Sequence, residues 1–126
     1  MSAFTPAEIE YLRSQPLMRF ASASLNGRPD VAPVVFEVDG DDILTAGFDI
    51  THTVRYRNIQ TNPRVSVVID DLASINPWSP RGVKIFGSAV IEVVDDSRRF
   101  AFRLMSSSAG QSMTPPRAYR KWNAER

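Results

Sequence analysis

Apolar and polar positions alternate along most of this chain with the two-residue period of half-buried strands, and helical signals are confined to short stretches. Thr5-Pro6-Ala7-Glu8 is a helix start: Thr5 can cap, Pro6 suits the first helical position, and Glu8 can reach back to close a capping box. A short helix to about Gln15 is predicted. Leu17 to Leu25 then reads as a strand. Asn26-Gly27 is a hairpin signal leading into a strand over Asp30–Val38, and the turn Asp39-Gly40-Asp41-Asp42 leads into another over Ile43–Phe48. Three antiparallel strands in a row, a meander, are expected.

Asp49 or Thr51 can cap a helix running to about Thr61, where Asn62-Pro63 stops it and Arg64–Asp70 resumes as a buried strand. A loop over Asp71–Pro80 follows, then a long strand over Gly82–Val94 with Gly87 as a candidate bulge. Arg99–Leu104 fits strand alternation, and Asp95 or Asp96 could equally cap a short helix there. Six or so short antiparallel strands with two helices predict a mainly β fold closed into a small barrel, because closure removes the exposed edges of a meander. One domain over 1–126 is expected, with 107–126 a basic, extended tail.

Composition narrows the function classes. The chain has 126 residues, 43% of them hydrophobic, which suits one globular domain with its own core. It contains no cysteine, which excludes disulfides, thiolate catalysis and cysteine-ligated metal, and suits the cytoplasm. No stretch approaches the roughly 20 apolar residues of a membrane span, so a soluble protein is expected. Residues 1–96 hold 8 basic and 13 acidic side chains, whereas 97–126 hold 7 basic and 1 acidic. A net charge of +1 and sparse aromatic interleaving in that tail do not make nucleic acid an expected partner.

Side-chain catalysis is poorly supplied. His52 is the one histidine, it stands near a helix start where a capping or solvent-facing role is the ordinary one, and no spacing suggests a triad or a metal site. No catalytic residue is assigned, and any reaction is expected to come from a cofactor. Thr51-His52-Thr53-Val54-Arg55-Tyr56-Arg57-Asn58 is the best candidate for holding one: a helix N-terminus, two hydroxyls and the Arg55 guanidinium would complete a phosphate cradle, the alternative being a plain solvated basic helix face. Helical spacing puts Arg55 and Asn58 on neighbouring faces and turns Arg57 nearly opposite to Arg55, so the two arginines cannot grip one phosphate. A second candidate is Trp78, flanked by Pro77 and Pro80 and followed by Arg81. It could cover a flat ring or simply cap a barrel mouth.

These segments together resemble the pyridoxamine-phosphate-oxidase-like flavin and deazaflavin oxidoreductases, especially the probable coenzyme F420-dependent group. The resemblance covers roughly residues 3–94. It rests on Phe4-Thr5, Ala7-Glu8 and Tyr11-Leu12, on Arg19-Phe20-Ala21 with Asn26-Gly27-Arg28-Pro29 and Ala32-Pro33-Val34, and most specifically on Arg55-Tyr56-Arg57-Asn58-Ile59 with Asn62-Pro63-Arg64-Val65 and Asp70-Asp71 with Pro77-Trp78 and Pro80-Arg81-Gly82. It implies an FMN-binding split β-barrel acting as a homodimer, with coenzyme F420, or alternatively FMN, between the subunits. Arg55 stands where the family has a basic residue near the cofactor phosphate, with Thr51, Thr53 and Asn58 beside it. Pro33 and Val34 lie on the strand expected to run along the ring, and Trp78 and Arg81 in a loop resembling part of the cofactor or substrate wall. The C-terminal segment departs from the group: Arg117 and Trp122 only faintly echo its arginine-rich closing strand. The implied activity is hydride transfer between the cofactor and a small unsaturated or aromatic substrate. The alternative is a non-catalytic flavin-, deazaflavin- or heme-binding protein.

Overall fold

The computed structural model describes residues 4–47 and 50–93 and the backbone of 100–105. Helix α1 is Pro6–Arg13, and its capping box forms: the Thr5 hydroxyl accepts from the Glu8 amide at 3.2 Å, and the Glu8 carboxylate accepts from the Thr5 amide at 2.7 Å. Strands β1 (Met18–Ala23) and β2 (Pro29–Val34) make the expected hairpin. Gly27 takes a φ of 91° in the turn, a backbone region open to glycine at little cost.

Strands β3 (Glu37–Asp39) and β4 (Asp42–Ala46) form a second hairpin; α2 is Val54–Thr61, and β5 (Arg64–Ser74), β6 (Ser79–Val93) and β7 (Phe100–Met105) complete the sheet. Among the described residues the sheet has seven strands in the order β2-β1-β5-β6-β7-β4-β3, with every pair antiparallel. The meander is therefore corrected. The strand expected over Asp30–Val38 is two strands, and β2 does not pair with β4; β1 pairs instead with β5, and β4 with β7. Val34 is buried, and Phe36 and Val38 pack on the core, so the period-two pattern runs through the break without registering the change of ladder.

That break closes the barrel. β2 and β3 are the outermost strands of the sheet, yet only Val35 and Phe36 separate them in the chain. Three residue steps span at most about 11 Å, whereas six strand spacings across a flat sheet would need roughly 29 Å. The sheet must curl until its two edges face each other across a seam that has no ladder, which is a split barrel. Thr45 on β4 donates to the Val35 carbonyl at 2.6 Å, tying β4 to the connection that crosses this seam. Phe20, Leu12, Met18, Ile43, Ile69 and Ile85 are the largest fully buried side chains, contributed by α1 and by strands from both halves of the sheet.

Other boundaries move for local reasons. Asp49 lies outside the described residues, and Thr51 sits in a single 3-10 turn, Ile50–His52; the cap of α2 is Thr53. Gly87 pairs in regular register with Val65, and the irregularity falls between Leu72 and Ser74. The long loop expected at Asp71–Pro80 contracts to a turn at Ile75–Trp78, because Asp71 and Arg81 face each other across the ladder and carry the polar strand ends into the hairpin. Between the two options for Arg99–Leu104 the structure gives the strand, β7. Asp95, Asp96, Arg99 and the tail at 107–126 lie outside the described residues. No described helix is long and apolar enough to cross a membrane.

Candidate functional site

Two groups of candidate residues sit at opposite ends of β5. The first surrounds the start of α2. The Thr53 hydroxyl accepts from the Tyr56 amide at 3.2 Å and donates to the Ile50 carbonyl, so it serves the helix end itself. Thr51 is half-buried in the turn just before the cap. Arg55, in the first turn of α2, is half-buried as well. Burial pulls its guanidinium below the ordinary arginine value, and the negative charge of Asp30 on β2 works the other way. A cation held partly out of water interacts more strongly with an approaching anion than one in bulk solvent.

Asn58, one turn later, is 6% exposed; its Nδ2 donates to the Ser22 hydroxyl at 3.1 Å. Its amide therefore fastens α2 to β1. On β2, Pro33 is exposed, whereas Val34 is in the core and can present only backbone to a bound molecule. Val35, 59% exposed at the exit of β2, is an apolar neighbour that the sequence did not single out.

The second group is the β5–β6 hairpin tip. Arg81 is committed to a bidentate pair with Asp71, Nε to Oδ1 at 2.7 Å and Nη2 to Oδ2 at 3.0 Å. Its guanidinium also lies 5.1 Å from the centre of the Tyr11 ring. Tyr11 completes the cluster by donating to Asp71 Oδ1 at 2.9 Å, which docks α1 on the hairpin. The hydrogen bonds from Arg81 hold the Asp71 carboxyl below its usual range. Arg81 in this arrangement braces the fold. Neither Asp71 nor Tyr11 stands out in the sequence as its partner, since they lie 10 and 70 positions away from it. Trp78 behaves differently: it is 53% exposed at the tip, beside exposed Ile75 and Leu72.

Asn62 and Pro63 lead directly from α2 into Arg64 at one end of β5, and Trp78 follows Ser74 at the other. Ten residues of strand at about 3.3 Å each span roughly 33 Å. One chain thus does not bring Trp78 and Arg55 to a common site. The outward face of the sheet between these ends is partly apolar: Val31, Phe86 and Val90 are 65%, 44% and 39% exposed, and Val31, Ala21, Ser66 and Phe86 share one row across four strands.

A cavity of about 350 Å³ opens on the other flank of α2, lined by Ser24, Arg28, Pro29, Asp30, Val54, Arg57 and Asn58. The sequence hints at it through the i, i+3, i+4 spacing of Val54, Arg57 and Asn58, which puts the three on one helix face. No group of histidine, aspartate or glutamate side chains suited to a metal ion occurs among the described residues.

Comparison with known proteins agrees with this architecture. The chain is 39% identical over 88 residues to a 5a,11a-dehydrotetracycline/5a,11a-dehydrooxytetracycline reductase of Streptomyces rimosus; the match covers 68% of this chain and spans 62% of the relative's length. HutZ, a heme storage protein from Vibrio cholerae, superposes with a TM-score of 0.65 at 16% identity, over 84% of this chain and 91% of that one. The conserved protein Rv2991 from Mycobacterium tuberculosis gives 0.66 at 18% identity, over 82% and 81%. At these identities the structural matches speak for the fold alone. The family profile described as pyridoxamine 5'-phosphate oxidase matches residues 4–126, so the chain, with its seamed seven-stranded sheet, belongs to the pyridoxamine 5'-phosphate oxidase family.

Proposed function

We propose that this protein is a cytoplasmic oxidoreductase that binds coenzyme F420, with FMN as the alternative cofactor, and passes hydride between it and a small unsaturated or aromatic substrate. The observation that carries the reading is Arg55, a half-buried guanidinium in the first turn of a capped helix, in a chain of this family whose Streptomyces relative is a reductase. The residues fit a phosphorylated planar cofactor unequally. Arg55 and Thr51 are suited to its phosphate, and Pro33 and Val35 offer an apolar border for its ring. Thr53 and Asn58 support the site by fixing the helix end and its seat on β1, and Arg81 supports the hairpin.

When bound, the cofactor supplies the hydride chemistry. The chain's own part is to bind, orient and exclude water, which requires no acid or base among the residues described. A homodimer completes the arrangement. The apolar outer face between β2 and β6 is the natural contact between copies, and the exposed Trp78 tip of one protomer reaches the cofactor held at Arg55 of the other. A heme- or flavin-carrying protein without turnover is the second reading, favoured by the fold shared with a heme storage protein. Titrating the purified protein with F420, FMN and heme while following cofactor or tryptophan fluorescence separates the two. Micromolar binding of F420 or FMN is expected; failure of both to bind would end the oxidoreductase reading, and tight heme binding in their place would establish the other.

A further inference from the structure

The cavity beside α2 uses charge that the cofactor reading leaves aside. The β1–β2 turn forms one wall and the helix face of Val54, Arg57 and Asn58 the other. Arg55 is absent from its lining; Asp30, which supports the charge of Arg55, marks the boundary between the two flanks.

The turn wall is built rather than slack. The Ser24 amide donates to the Arg28 carbonyl at 2.9 Å, the Ser24 hydroxyl accepts from the Arg28 amide at 2.9 Å and donates to Asn26 Oδ1 at 2.7 Å, and the backbone is thereby fixed under an exposed Arg28 side chain. Among the described residues, neither Arg28 nor Arg57 forms an ion pair. Asn58, also in the lining, is buried; its Nδ2 is given to Ser22, which leaves its Oδ1 as the acceptor the side chain can offer to a ligand.

We infer that this cavity is a second ligand site, separate from Arg55, for a small phosphate monoester carrying a free hydroxyl. Two guanidiniums that form no ion pair among the described residues outnumber the single carboxylate of the cavity, Asp30, which favours an anion, and their planar forks suit phosphate oxygens. Asp30 repels the anion from the inner end and so keeps the phosphate at the arginine rim, while the hydroxyl donates to Asn58 Oδ1. The volume lies at the small end of ligand cavities, which favours a compact sugar- or glycerol-sized ester over a nucleotide. The inference is independent of the cofactor reading, since it uses neither Arg55 nor a second copy.

The test is a titration of the isotope-labelled full chain with glycerol 3-phosphate, inorganic phosphate and glycerol at fixed ionic strength, followed by amide NMR. Glycerol 3-phosphate should give saturable shifts confined to 24–30 and 54–58 and bind more tightly than either component. Arg28→Gln and Arg57→Gln should each weaken it about tenfold, and Arg55→Gln should leave it within about threefold. Both arginines of the cavity are exposed, so the variants should fold, and unchanged melting curves verify that. Lack of saturation below about 10 mM, unaltered affinity in the double variant, or an equal loss in Arg55→Gln would overturn the site. Equal affinity for inorganic phosphate would overturn the hydroxyl contact.

Discussion

Arg55 and Arg81 carry the same charge in a chain where both were candidates for a cofactor, yet their surroundings divide them. Arg81 is locked between a carboxylate and an aromatic ring, with Asp71 and Tyr11 using its hydrogen-bonding fork and its face. Arg55 is half-buried in the first turn of α2, where burial pulls its guanidinium below the ordinary arginine value and the negative charge of Asp30 works the other way. Arg81 is therefore a brace at the base of the β5–β6 hairpin, whose tip still presents an exposed Trp78, and on the proposed reading Arg55 is the residue that binds. An arginine's type and motif position do not distinguish these roles; its commitments do.

The sharpest way to break this division is Arg55→Gln. Loss of a charge-assisted contact of about 2–3 kcal/mol should weaken F420 or FMN binding by roughly a hundredfold, while the melting temperature stays nearly constant. Unchanged affinity would move the phosphate elsewhere. Gly82→Ala probes the brace: an added Cβ would stand 2.8 Å from the Ile69 carbonyl oxygen and 3.0 Å from the Asp70 Cβ, and backbone cannot yield cheaply. A stability loss of about 1–3 kcal/mol in urea unfolding is expected. A smaller effect belongs to Asp71→Asn. The pair is partly exposed and screened, so about 1 kcal/mol or less is expected, with cofactor affinity preserved.

Acid sharpens the same comparison. Because Asp71 has a depressed folded pKa, its contribution is present above the ordinary carboxylate value of about 3.9 and is lost as pH falls through the depressed one. The stability difference between the wild type and Asp71→Asn should therefore be constant near neutrality and shrink in that acid window. A difference that grows on acidification would contradict the hydrogen-bonded pair.

Much of the fold was legible because it is local. Thr5 and Glu8, Asn26-Gly27 and Asn62-Pro63 punctuate the chain where the structure does. What escaped was non-local. Alternation through Val34, Phe36 and Val38 marks an inward face but not which strand lies alongside, so the crossing from one edge of the sheet to the other was invisible. The site divides in the same way. The spacing of Arg55, Arg57 and Asn58 separated the two arginines correctly, as Arg57 lines a cavity that Arg55 does not. The commitment of Asn58 to Ser22, 36 positions away, and of Arg81 to Tyr11 depends on tertiary contacts that no spacing encodes.

The central claim is that one cofactor site draws Arg55 from one copy and Trp78 from another. Its most direct test mixes Arg55→Gln chains with Trp78→Ala chains under conditions of subunit exchange and measures high-affinity cofactor binding. If the two residues meet across the dimer, about a quarter of the sites regain wild-type affinity, since half the dimers are mixed and each carries one intact site. If affinity stays at the level of the separate variants, the site lies within a single chain and the shared arrangement is wrong.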